Sequence, residues 1–193
     1  MEISLDTVKQ LRDKTGVSIM QCRKALEEAE GDMDKAEVIL KKRSGAAADK
    51  KADRELGAGA IGVYVHGTEI GAMVLLSCET DFVGKNEEFV ALAREVAMQA
   101  AATSPSYLSE EDISEEAKAA AHAVFVEEVK DKPADMQEKI LAGKMASYFK
   151  DMVLMNQSYI KDESKTVRDL LNEATQKFGE RVEISKFARF SAR

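Results

Sequence analysis

Along the first third of the chain, apolar residues return every three or four positions. Leu5, Val8 and Leu11 form one stripe, Ile19, Cys22, Leu26 and Ala29 a second, and Met33, Ala36, Ile39 and Leu40 a third. Ser4, Ser18 and Asp32 stand just ahead of these runs, where a short oxygen-bearing side chain caps a helix, and Gly16, Gly31 and Gly45 stand behind them as stops. The pattern predicts three short amphipathic helices over residues 1–45. Their shared core is small, which suits a docking module better than a catalytic one. From Ala46 to Arg54 no large apolar residue occurs, so residues 46–56 read as a polar linker and 57–193 as a separate core domain.

The period then changes to two. Ile61, Val63 and Val65 alternate with Gly62, Tyr64 and His66 as a half-buried strand, and His66 to Glu69 reads as a hairpin turn. Ile70 to Cys78 is apolar at nearly every position, which predicts a central strand covered on both faces. Phe89, Leu92, Ala93, Val96, Ala97 and Ala100 mark a long helix. After a break at Pro105, helical sequence runs from Ser114 to Lys130, is interrupted at Pro133, and resumes with Leu141, Met145, Tyr148 and Met152 along one side. A last helix carries Leu170, Leu171, Ala174 and Phe178 and stops at Gly179; Val182, Ile184, Ala188 and Phe190 alternate as a closing strand. The expected fold class is α+β: a three-helix bundle, then a core with a small antiparallel sheet packed on helices.

Composition narrows the function classes. Hydrophobic residues at 45% and charged residues at 33% describe a folded chain. A net charge of -7 and a pI near 5.1 speak against nucleic acid as the main partner. No apolar run approaches a membrane span and the first residues lack a secretory pattern, so a cytoplasmic protein is expected. Cys22 and Cys78 read as buried, reduced thiols rather than a disulfide or metal pair, and the nine methionines as core filler. His66 and Cys78 at the ends of neighbouring strands are a conceivable nucleophilic pair, but nothing orients the histidine and a thiol in an apolar strand is inert. Glu110, Glu111, Asp112, Glu115 and Glu116 crowd helix starts, where they complement the dipole, with a metal cluster as the weaker alternative. No phosphate-cradling glycine motif occurs. The reading is a non-enzyme with no cofactor and no metal of its own.

Between the apolar strand and the long helix runs Cys78-Glu79-Thr80-Asp81-Phe82-Val83-Gly84-Lys85-Asn86-Glu87-Glu88-Phe89. An acid and a large ring at a short break are expected at an exposed tip. The local alternative is that Thr80 and Asp81 only cap the next helix while Phe82 folds back into the core. The stretch closely resembles the TDFV segment of the elongation factor Ts family. Val8 to Gly16 with Met20 to Asp32, and Gln157 to Val167, resemble the family's N-terminal module and its late segment, in the same order and spacing. Gly16 to Met20 departs from the glycine-rich form common in the family, and the chain has no room for the duplicated core and coiled coil of longer members.

The resemblance implies a ubiquitin-associated-like fold for the bundle and a guanine-nucleotide exchange factor of translation elongation. Such a factor binds the GDP form of elongation factor Tu through its G domain and promotes GDP release by disturbing the Mg²⁺ and phosphate site. It assigns Thr80, Asp81, Phe82 and Val83 to that action. It further implies a homodimer formed through the core domain. Lys9, Arg12 and Arg23 are candidate docking residues on the bundle. The other class of function is a ubiquitin-like helical scaffold without exchange activity, which has no need of an exposed Asp-Phe tip.

Overall fold

The computed structural model describes residues 3–131 and 133–192. The outermost residues of both expected domains, at positions 1, 2 and 193, fall outside the described residues.

Three helices open the chain: α1 (Leu5–Thr15), α2 (Ile19–Glu28) and α3 (Met33–Asp49). Each has its expected cap. Ser4, Ser18 and Asp32 accept a hydrogen bond from the N–H three residues on, and Gly16 leaves α1 in the left-handed conformation at φ 69°. Val8, Leu11, Cys22, Leu26, Ala36 and Leu40 are buried in a core of their own. Leu5 and Ile19 are exposed instead; each is the first residue of its helix.

Gly45 does not end the third helix. The chain stays helical to Asp49, because three alanines follow the glycine and offset its cost of about 1 kcal/mol. The second half of α3 lies along the last helix, with Lys41 2.9 Å from Asp169. Residues 46–49 of the expected linker are therefore helical.

The rest of the chain follows in order: β1 (Ala58–His66), β2 (Ile70–Cys78), α4 (Asp81–Gly84), α5 (Glu87–Thr103), α6 (Glu115–Val129), α7 (Ala134–Lys150), β3 (Ser158–Tyr159), β4 (Asp162–Thr166), α8 (Val167–Phe178) and β5 (Glu183–Ser191). The fold is α+β. β1, β2 and β5 form an antiparallel sheet in that spatial order, and β3 and β4 a small hairpin. α6 and α7 make a helical hairpin, where Phe125 meets Tyr148 edge to face at 5.5 Å. Ile113, Ala121, Phe149 and Val153 form a separate small core beneath it.

The sheet corrects two expectations. β2 buries Ala72, Val74, Leu76 and Cys78 in the core formed with α5 and α8, and Ser77 is buried on the other face; Met73, on that other face, is 45% exposed. In β1 the buried parity is Gly62 with the half-buried Ala60 and Tyr64, so Ile61, Val63 and Val65 point outward. The reason is the approach of α5. A Cβ added to Gly62 would lie 2.0 Å from the Ala93 carbonyl oxygen, so the helix rides directly on the strand backbone. A branched side chain has no room on that face.

The last strand is not a simple alternation either. Leu75 pairs with Lys186 and Leu76 with Ile184, which leaves Ser185 as the extra residue of a bulge. Val182 and Ile184 therefore face the core, whereas Ala188 and Phe190 lie on the outer face and Phe187 packs inward. Phe190 is 71% exposed. Among the described residues no helix is long and apolar enough to cross a membrane.

Candidate functional site

At the end of β2 the buried Cys78 is followed by a turn whose residues split between support and display. Thr80 has extended backbone and its Oγ1 accepts the Val83 N–H, so it caps α4, a single turn of helix. Asn86 caps α5 immediately afterwards by accepting from the Glu88 N–H at 2.9 Å. Val83 is buried, and Gly84 lies so close to Gly59 that an added Cβ would sit 3.2 Å from its backbone N and O. With these two residues beneath, Asp81 and Phe82 are turned out. Phe82 is 82% exposed. The alternative of a ring folded into the core is not what forms, although Thr80 does cap the helix.

Asp81 carries its charge close to Lys85, whose ammonium donates to the carboxylate at 2.7 Å. That hydrogen bond and the ammonium's charge hold the Asp81 carboxyl below the ordinary carboxylate range. The group is exposed, so a docking partner can reach it once the lysine swings away.

Residues far away in sequence hold the base of the tip. The Glu180 carboxylate, just past α8, accepts from the Glu79 N–H at 3.1 Å, the Thr80 N–H at 3.0 Å and the Thr80 hydroxyl at 2.6 Å. Glu79 in turn accepts from the Arg181 N–H at 2.6 Å and from the Arg54 guanidinium at 3.1 Å. The Arg181 N–H and the Arg54 guanidinium hold the Glu79 carboxyl below its ordinary range despite some burial. Nothing local in the sequence marks Glu180; only the meeting of β2 with the α8–β5 turn does.

Lys9, Arg12 and Arg23 are all exposed on α1 and α2, with Arg23 Nε 3.2 Å from Glu27. The tip follows β2. On the bundle the structure adds exposed apolar side chains that the periodicity hid, Met20 at the start of α2 and Val38 on α3. Met20, Met73 and Met136 are thus not core filler.

The nucleophilic pair is excluded by register. His66 is opposite Ile70 and Cys78 opposite Ala58, at the two ends of the hairpin, roughly 27 Å apart at ~3.4 Å per residue. Cys22 and Cys78 are free and buried, and burial pushes both thiols up. Among the described residues no three His, Cys, Asp or Glu side chains converge as a metal site.

Comparison with known proteins agrees with the resemblance. The model of the family described as Elongation factor TS matches residues 47–193. The chain is 45% identical over 191 residues to Elongation factor Ts of Thermotoga petrophila, covering 98% of this chain and 96% of the relative. It is 46% identical over 194 residues to Elongation factor Ts of Leptospira biflexa, covering 98% of both. Against the protein of that name from Thermodesulfovibrio yellowstonii the identity is 44% over 191 residues, with 98% and 96% covered. The chain belongs to the elongation factor Ts family of translation elongation factors.

Proposed function

We propose that this chain is a guanine-nucleotide exchange factor that binds the GDP form of elongation factor Tu and promotes release of the nucleotide. The observation that carries the reading is Phe82, a large apolar ring standing 82% exposed beside a charged carboxylate on a firmly supported single turn. A ring in water gains roughly 1.5–3 kcal/mol when a partner buries it. In the proposed complex Phe82 wedges into the partner's G domain through apolar burial. Asp81 leaves Lys85 and brings its negative charge toward the polar groups around the partner's Mg²⁺. Loss of that ion unscreens the phosphates and loosens their cradle. Thr80 and Val83 shape and anchor the turn.

By linkage, a factor that weakens nucleotide binding is itself weakened by nucleotide, so GTP reloading releases it. No covalent step is involved, and the chain needs no cofactor. The cytoplasm, where translation factors work, is the proposed location. Lys9, Arg12 and Arg23, with Met20 beside them on the bundle, are proposed to contribute docking affinity rather than exchange chemistry.

The second copy proposed here is a homodimer partner at the outer face of the sheet. Ile61, Val63 and Val65 of β1, Met73 and Leu75 of β2, and Phe190 of β5 give that face a continuous apolar surface. Such a surface on a sheet is stable when a second sheet covers it.

The deciding experiment is catalysed release of a fluorescent GDP analogue from elongation factor Tu. Acceleration that saturates with this chain's concentration is expected. Binding without acceleration would replace the exchange reading with that of a helical scaffold.

A further inference from the structure

We infer that Glu180 is a positioning residue for the Asp81–Phe82 tip, acting through Thr80; the inference rests on the exchange reading above. Its carboxylate is the meeting point of three donors that together define the start of α4: the Glu79 N–H, the Thr80 N–H and the Thr80 hydroxyl. Those groups come from the break between β2 and α4, where the sheet ladder ends at Cys78 and the backbone has no strand partner for its next two N–H groups. Glu180 supplies the acceptor that the ladder no longer provides.

The hydroxyl completes the relay. Thr80 donates to Glu180 Oε1 at 2.6 Å and its oxygen accepts the Val83 N–H, the cap of the turn that carries Phe82. With the Thr80 proton committed to the carboxylate, the oxygen lone pairs are directed to the helix, which fixes the cap. Neighbouring contacts brace the same junction: Arg181 donates through its N–H to Glu79 and through its guanidinium to the Arg54 carbonyl at 2.6 Å. Glu180 is thus fixed at the end of α8, after the left-handed Gly179, and carries the rigidity of that helix to a four-residue turn too short to hold itself.

Glu180→Ala removes all three acceptor contacts, whereas Glu180→Gln keeps the geometry. The amide oxygen accepts the two N–H groups and the NH₂ donates to the Thr80 oxygen. The measurement is the rate of catalysed fluorescent-GDP release against concentration of the full chain. Glu180→Ala is expected to lower the saturating rate about tenfold, the scale of a lost hydrogen bond to a charged group, with little change in half-saturating concentration. Glu180→Gln should recover most of that loss, and Thr80→Val combined with Glu180→Ala should be milder than the product of the two single effects. Equal damage from the alanine and glutamine variants, or full multiplication in the double variant, would overturn the inference, since either marks a role outside this contact.

Amide hydrogen exchange on the free protein supplies a readout independent of nucleotide. Glu79 and Thr80 should exchange about tenfold faster in Glu180→Ala, with the melting temperature lowered by only about 2–4 °C per kcal/mol lost. Unchanged protection there overturns the clamp. A wild-type chain that does not accelerate GDP release, with the amides responding as stated, overturns the exchange reading and leaves the clamp standing.

Discussion

The Asp81 carboxylate is held 2.7 Å from the Lys85 ammonium, one helical turn away, with both side chains in water. An exposed pair at this spacing is screened by water and contributes little, so it is easily exchanged for a partner's groups. It keeps the tip's charge in place in the free protein without locking it.

That relationship gives the metal test. Asp81→Ala should slow catalysed GDP release in the presence of Mg²⁺. If the carboxylate acts by helping to dislodge the partner's ion, chelating Mg²⁺ does the same work and the gap between wild type and variant should shrink. An equal defect with and without the metal would leave Asp81 as an ordinary contact.

Phe82→Ala should slow release by roughly ten- to a hundredfold, from the burial worth of the ring and the ~1.4 kcal/mol that corresponds to a factor of ten. Because the ring touches little in the free chain, its melting temperature should stay within a degree or two of wild type. A large fall in stability would show that the ring supports the fold rather than the partner contact.

The outer sheet face predicts self-association. Sedimentation equilibrium at micromolar concentration should give about twice the 21.2 kDa chain mass. Leu75→Lys, which places a charge at the middle of the face, should return the chain to a monomer. A wild-type monomer under those conditions defeats the proposal.

Gly62 should tolerate no side chain. An alanine Cβ there meets the Ala93 backbone at 2.0 Å, so α5 or β1 must shift. Overpacking of this kind costs about 1–3 kcal/mol, measurable as a lower midpoint in urea with an unchanged slope. Gly67, in the open hairpin turn, has nothing within 4 Å of an added Cβ, and its φ of +57° is the sole source of strain there. Gly67→Ala should therefore cost less than Gly62→Ala.

The carboxylates set the acid limit. Burial pushes the Asp169 carboxyl up, but the Thr166 N–H and hydroxyl and the Lys41 ammonium together bring it below its ordinary value. A lowered folded pKa stabilises fully above the unfolded value, ~3.9 for Asp, and that stability is lost as pH falls through the lower folded value. Glu79 and Asp32 act in the same direction. Unfolding free energy should be nearly flat from about pH 7 to 5 and fall below about pH 4. Asp169→Asn should make that acid slope shallower; an unchanged slope would remove Asp169 from the account.

Short-range features were legible in the sequence because their causes are local. Ser4, Ser18 and Asp32 cap their helices, Gly16 and Gly179 stop theirs, and Thr80 and Asn86 cap the turn and the helix that follow β2, since each depends on groups within a turn of itself. Gly45 misled for a local reason too: the alanines after it favour helix more than the glycine opposes it. Which face of a strand is buried depends instead on what arrives from elsewhere. Ile61, Val63 and Val65 look like a core stripe, yet α5 lands on Gly62 and turns them out, and the bulge at Ser185 reverses the parity of β5. Glu180 is a hundred residues from Thr80, and the contact exists only because α8 ends beside the end of β2. Periodicity and capping are written in neighbouring residues; facing, register and the clamp under Phe82 follow from long-range packing, which no single stretch of the chain encodes.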